Sequence, residues 1–334
     1  MSFSSSASVL EVELRPDRPP LLHLEPPADA VGWAAEHREA LRAQVTEHGA
    51  LLVRGLGLRD PDLIAAVFAE LGGPLMAERE AFAPREPRGP GLYSSTAWPA
   101  NQPMCMHHEL SYALEAPGLM LFACTVPPAE GGATGVADAE AVLQALPAEL
   151  TERFEREGWL LVRSYNDEIG ASLAESFGTD DRETVENYCR AHAIDFTWQP
   201  DGTLRTRQRR AAVVRHPVTG RRCWFNQIAF LNEWTLAPEV REYLVDEYGE
   251  DGLPFNTRFG DGSPIGEDVV QLLNETYEQH TRREPWQAGD LMLVDNIRTA
   301  HSREPFTGDR QVLVAMAEPQ RLAAYDPNAK GSRR

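Results

Sequence analysis

The sequence predicts an α+β chain whose centre is mainly antiparallel β, decorated with helices. Apolar runs of strand length cluster at mid-chain and toward the C-terminus. Helical patterns fall between them without regular strand–helix–strand alternation, which disfavours a doubly wound parallel sheet. No internal repeat or low-complexity linker divides the chain. One elaborated domain is therefore expected over 13–325, with flexible ends at 1–12 and 326–334 and helical inserts at about 157–222 and 237–282.

The elements follow in order. Val31, Ala34, Ala35, Leu41 and Val45 recur at helical spacing between Asp29 and His48, and Gly49 ends the run. "ALLVRG" from Ala50 is a short strand. Asp60 followed by Pro61 reads as an N-cap and a proline in the first helical turn, opening a helix to Leu71 that Gly72 and Gly73 stop. Residues 74–103 are proline-rich and aperiodic, a long loop of the kind that covers active sites. "GLMLFACTV" (118–126) and "WLLVRSY" (159–165) are strands flanking short helices at 138–146 and 147–154. A helix at 181–191, a strand "CWFNQIAF" (223–230) and helices at 238–248 and 267–280 come next. Strands "LMLVDN" (291–296) and "QVLVAMA" (311–317) complete the chain.

The chain has 334 residues and a formal charge of −19, so it lacks the Lys/Arg excess that phosphate neutralisation requires. Nucleic acid and anionic membrane surfaces are both poor partners for it. Its four cysteines show no framework spacing, and no secretory leader or apolar span is legible, so a cytoplasmic protein is expected.

The stretch "MCMHHELSYA" (104–113) concentrates two of the nine histidines beside a glutamate. In an extended segment residues i and i+2 share a face, about 6–7 Å apart at the backbone. His107 and Glu109 would then converge on one ion while His108 turns away. Two ligands hold a metal poorly, and His301 in "DNIRTAHSREPF" is the natural third. Two imidazoles and one carboxylate on one octahedral face form the ligand set of non-haem Fe(II) oxygenases. Taken alone, His-x-Glu is more often a surface tripeptide and His301 a hydrogen-bonded loop histidine.

Four segments carry a resemblance beyond this triad: "GALLVRGLGL", "MHHELSYALEAPGLMLFACTVPPAEGGATGVAD", "LRTRQRRAAVVRHPVTGRRCWFNQIAF" and "WQAGDLMLVDNIRTAHSREPFTGDRQVLVAMAEP". Together they resemble the TauD/TfdA superfamily of Fe(II)- and 2-oxoglutarate-dependent dioxygenases, in particular the subgroup of the syringomycin-pathway aspartyl hydroxylase. The resemblance implies a double-stranded β-helix, or jelly roll. It implies that His107, Glu109 and His301 bind Fe(II), that Arg310 and Thr134 grip the distal carboxylate of 2-oxoglutarate, and that O2 is the co-substrate. A guanidinium fork suits the carboxylate. Related halogenases carry a small residue in place of the carboxylate ligand, so Glu109 favours hydroxylation.

The expected substrate is amino-acid-like, free or carried by a peptidyl carrier protein, in natural-product biosynthesis. Ser111, Tyr112, Arg163, Arg207, Arg210 and Asn226 are the candidate substrate contacts, from segments expected to line the pocket and from a local arginine cluster. Desaturation, cyclisation or epoxidation, or a substrate that is not an amino acid, would use the same cofactors. A non-catalytic jelly-roll binding protein is the rival of another class, and a hydrolytic zinc enzyme would have no use for Arg310 and Thr134.

Overall fold

Strands that are apolar on both faces organise the molecule. The computed structural model describes residues 10–83, 85–166 and 168–322. Its largest sheet has seven strands, with Gly289–Asp295, Glu115–Val126 and Gln311–Arg321 adjacent and antiparallel near the middle. Leu119, Leu121 and Ala123 point to one side of it, whereas Met120, Phe122 and Cys124 point to the other, and all six are buried. A strand covered on both faces reads as a continuous apolar run, which is why this one was legible.

Helices Ala30–His48 and Pro61–Gly72 cover the first side, packing Leu41, Val45, Ile64, Phe68 and Leu71 onto the sheet. The Asp29 carboxylate accepts from the Gly32 amide and that of Asp60 from the Asp62 and Leu63 amides, satisfying amides that helix starts leave unpaired. The second side packs against a four-stranded sheet in the order Thr281–Arg282, Thr134–Asp138, Thr299–Arg303, Met104–His107. These two facing sheets are the expected jelly roll.

The insert at 157–222 has its expected strand, Trp159–Tyr165, but is less helical than expected. Two further strands, Asp195–Trp198 and Leu204–Arg210, join Trp159–Tyr165 and Phe255–Phe259 in a second four-stranded sheet. Its helices, Leu173–Phe177 and Arg182–Ala191, are short. Strand Leu204–Arg210 alternates inward Leu204, Thr206, Gln208 and Arg210 with outward Arg207 and Arg209. Three of its four inward residues are polar, so hydrophobic period could not find it. The insert at 237–282 has its expected helices, Pro238–Tyr248 and Glu267–His280, with strand Phe255–Phe259 between them. Loop 74–103 holds two short strands, Pro87–Gly89 and Leu92–Ser94, at the edge of the large sheet.

The strand expected over 223–230 stops at Trp224. There the Asn226 side chain accepts from the Ile228 amide and turns the backbone. Residues 1–9 and the expected loose tail at 326–334 lie outside the described residues. All four cysteines are free, and no helix among the described residues is long and apolar enough to cross a membrane.

Candidate metal centre

Cross-strand register brings the two outer histidines together. Strand Met104–His107 lies antiparallel to Thr299–Arg303 with His107 directly opposite His301, and their ring centroids are 4.3 Å apart. Glu109 joins them by a different route from the one strand period suggests. The strand ends at His107, and the chain turns through Leu110, whose φ of 51° lies in the left-handed region. The Glu109 amide donates to Asn296 Oδ1 at 2.7 Å, and Asn296 Nδ2 donates back to the Glu109 carbonyl at 2.9 Å and to that of Pro117 at 2.9 Å. A buried amide thus clamps the turn.

The result is a compact donor set. One ligand atom from each of His107, Glu109 and His301 lies within 4.8 Å of the others, and all three residues are buried. Glu109 Oε2 is 3.7 Å from His301 Nε2. His107 Nδ1 donates to the Cys105 carbonyl at 2.8 Å, which leaves the Nε2 lone pair for a metal. Burial pushes the His107 pKa down, and burial together with His107 pushes that of His301 well down, so both rings are neutral at pH 7. His301 Nδ1 is buried without a hydrogen-bond partner among the described residues. Two neutral imidazoles and a carboxylate, desolvated and convergent, fit a divalent iron.

His108 turns the other way, as strand period suggested. It donates from Nδ1 to the Asn296 carbonyl at 2.6 Å and packs against Phe225, and burial takes its pKa down to about 4. It braces the turn from behind.

A cavity is lined by His107 and His301 of the triad together with Thr134 and Arg310, with Phe122 and Val314 on its wall. Arg310 Nε donates to the Gly132 carbonyl at 2.9 Å, which leaves the two terminal nitrogens to the cavity. Burial and the nearby Arg303 take its pKa down to about 10, so it stays charged at pH 7, and it has no anionic partner among the described residues. Trp286 Nε1 donates to Thr134 Oγ1 at 3.3 Å, so the threonine proton is left to point at a ligand. On the other side of His107 the Phe230 ring stacks at 4.6 Å, with Phe82 and Trp98 around it.

The family model for the taurine catabolism dioxygenase TauD, TfdA family matches residues 24–316. The chain belongs to the TauD/TfdA family. It is a 2-oxoglutarate-dependent dioxygenase with iron as its metal. It is 33% identical to the dapdiamide synthesis protein DdaC of Enterobacter agglomerans over 275 residues, 82% of this chain and 84% of that protein. A clavaminate synthase-like protein of Arabidopsis thaliana is 26% identical over 282 residues, 81% and 82% of the two chains. Among solved structures, PvcB of Pseudomonas aeruginosa superposes with a TM-score of 0.54 at 17% identity, over 95% of this chain and 94% of that one. A taurine dioxygenase from Burkholderia xenovorans gives 0.52 at 17%, over 92% and 89%. At those identities the structures show a shared fold.

The candidate substrate contacts of this dioxygenase are placed differently from the sequence reading. Arg163 donates to the carbonyls of Glu80 and Ala81 at 2.9 and 2.8 Å, and Tyr112 Oη donates to the Glu80 carbonyl at 2.9 Å. Arg210 donates to the carbonyls of Tyr112 and His192 at 2.6 and 2.9 Å, and Asn226 Nδ2 to that of Ala212 at 3.3 Å. These four side chains are buried, and each of these hydrogen bonds goes to a backbone carbonyl. Ser111 is fully buried behind the turn, and Arg207 lies on the exposed face of its strand. The sequence reading missed Asn296 and Arg85. The one signal for Asn296 was its place at the end of a strong strand, and the one for Arg85 was a cation inside the long loop.

Proposed function

We propose that the enzyme hydroxylates an unactivated C–H bond of an amino-acid-like small molecule in a cytosolic biosynthetic pathway. His107, Glu109 and His301 hold the iron, and Thr134 and Arg310 hold the distal carboxylate of 2-oxoglutarate. The observation that carries this reading is one cavity lined by His107 and His301 of a convergent His-Glu-His set, by Thr134 and by the half-buried guanidinium of Arg310. The likeness to a dapdiamide synthesis protein supports a biosynthetic role.

Bound iron would supply the redox chemistry that activates O2 while 2-oxoglutarate becomes succinate and CO2. The chain's share is geometric. Cys105 fixes the His107 tautomer through its carbonyl, Asn296 fixes the Glu109 backbone, and Arg310 and Thr134 set the depth of the co-substrate. The rings of Phe230, Phe82 and Trp98 exclude water beside His107. Glu109 fills the position that related halogenases leave to a small residue, which supports hydroxylation.

The test is succinate release with Fe(II), 2-oxoglutarate and O2 against free amino acids and the same amino acids loaded on a carrier protein. Stimulation by one of them, with a product one oxygen heavier, supports the proposal. Stimulation by loaded amino acids alone assigns the carrier-bound form, and product without added oxygen contradicts hydroxylation. Arg310→Leu is expected to raise the KM for 2-oxoglutarate by about 10- to 100-fold, the usual size of a lost charge-assisted pair. Gly132→Ala should act in the same direction through Arg310. At a φ of +67° its added Cβ would stand 2.7 Å from Pro128 Cγ and 3.2 Å from Arg310 Cδ. Steady-state titration of 2-oxoglutarate checks both.

A further inference from the structure

Arg85 has no place in the reading above, yet its side chain is 5% exposed and forms part of the wall of the same cavity as Thr134 and Arg310. Its Nε donates to Thr96 Oγ1 at 2.9 Å and lies 3.5 Å from Glu78 Oε1. One terminal nitrogen donates to Glu109 Oε2 at 3.0 Å. The other, NH1, is buried with no hydrogen-bond partner among the described residues. A buried guanidinium nitrogen left unsatisfied is costly. Arg42 NH1 is in the same state elsewhere, and what sets Arg85 apart is its place in the cavity wall, where a ligand can reach it.

The segment that leads toward Arg85 is anchored at Glu80 and Ala81. Glu80 is buried at a φ of 56° and accepts from Tyr188 Oη at 2.9 Å and from Gln208 Nε2 at 2.6 Å. The Ala81 carbonyl accepts from Arg163 at 2.8 Å and from Ser176 Oγ at 3.0 Å. A left-handed non-glycine residue persists where its surroundings over-determine it. Arg163 and Tyr112, taken from sequence as substrate contacts, serve here to deliver Arg85.

We propose that Arg85 is a positioning residue and the second anion clamp of the co-substrate cavity. It holds Glu109 through Oε2, the oxygen that faces His301 Nε2, and offers NH1 to the C1 carboxylate of 2-oxoglutarate. Arg310 and Arg85 then answer the two carboxylates of one dianion, at the far end and at the metal end of a single cavity. This rests on the assignment of the cavity to 2-oxoglutarate.

The experiment is an anaerobic titration of the Fe(II)-loaded enzyme with 2-oxoglutarate, read by its visible charge-transfer band, for wild type, Arg85→Gln, Arg85→Lys and Arg310→Leu. Arg85→Gln is expected to weaken 2-oxoglutarate binding about 10- to 100-fold and to shift the band at saturation, because the C1 carboxylate that chelates the metal has lost its partner. Arg310→Leu should weaken binding without shifting the band. Arg85→Lys keeps the charge but not the fork, and should fall between wild type and Arg85→Gln. It is also the deciding variant if Arg85→Gln does not fold. A wild-type band with unchanged affinity and band position in the Arg85 variants overturns the role of Arg85 alone. So does weaker metal binding with 2-oxoglutarate affinity intact at saturating Fe(II), or a changed substrate KM with 2-oxoglutarate affinity intact. No band in wild type overturns the cavity assignment itself.

Discussion

His301→Ala is expected to abolish succinate formation, by at least about 1000-fold, more than the 10- to 100-fold typical of residues behind a metal ligand. The variant leaves His107 and Glu109 as the two remaining donors of the set, and two donors hold a labile divalent ion poorly. The fold should survive. His301 is paired through its backbone to Val136 and His107, and its ring adds contacts with His107 and with Phe122 at 5.2 Å. Losing those contacts costs on the order of 1–3 kcal/mol, within the reach of a stable domain. Iron content after anaerobic desalting and far-UV circular dichroism separate the two effects. Lost iron with an intact spectrum is the expected pair of results.

Asn296→Ala is expected to have the largest effect on stability among side chains that do not themselves touch the metal. It leaves the Glu109 amide and the Glu109 and Pro117 carbonyls without their partner in a fully buried site. At about 1–3 kcal/mol for each of the three orphaned groups, roughly 3–9 kcal/mol is lost in all. That is a large share of the 5–15 kcal/mol that typically holds a domain folded. Asn296→Asp keeps the acceptor for the Glu109 amide but removes both donors. It should remain folded with a lower Tm and about 10- to 100-fold weaker iron binding. Thermal melting and metal titration check these values. A melting point for Asn296→Ala equal to that of wild type would show that the clamp is dispensable.

The triad was legible because its residue types are rare and its spacing suggestive, but the reason for its convergence was only half right. Strand period did separate His107 from His108. Glu109, however, lies beyond the strand, and its position comes from a turn and from Asn296, 187 residues away. Such a contact leaves no local pattern. The large sheet was legible because both faces of its strands are apolar, whereas "LRTRQRR" hid its strand behind polar inward residues. Arginines were the least legible of all. Charge and clustering pointed to Arg163 and Arg210 as ligand contacts, yet both are buried against carbonyls. Arg85, in an irregular loop, reaches the centre. An arginine's role depends on which acceptors the fold places around it, and composition does not carry that information.

The central claim is that one cavity joins the His107, Glu109 and His301 set to Arg310 and Thr134 as a single iron and 2-oxoglutarate site. An anaerobic crystal structure with Fe(II) and 2-oxoglutarate tests it most directly. The account predicts iron bound to all three side chains, with the five-carbon acid chelating it and its distal carboxylate against Arg310 and Thr134. Iron bound elsewhere, or a co-substrate carboxylate that makes no contact with Arg310, would contradict it.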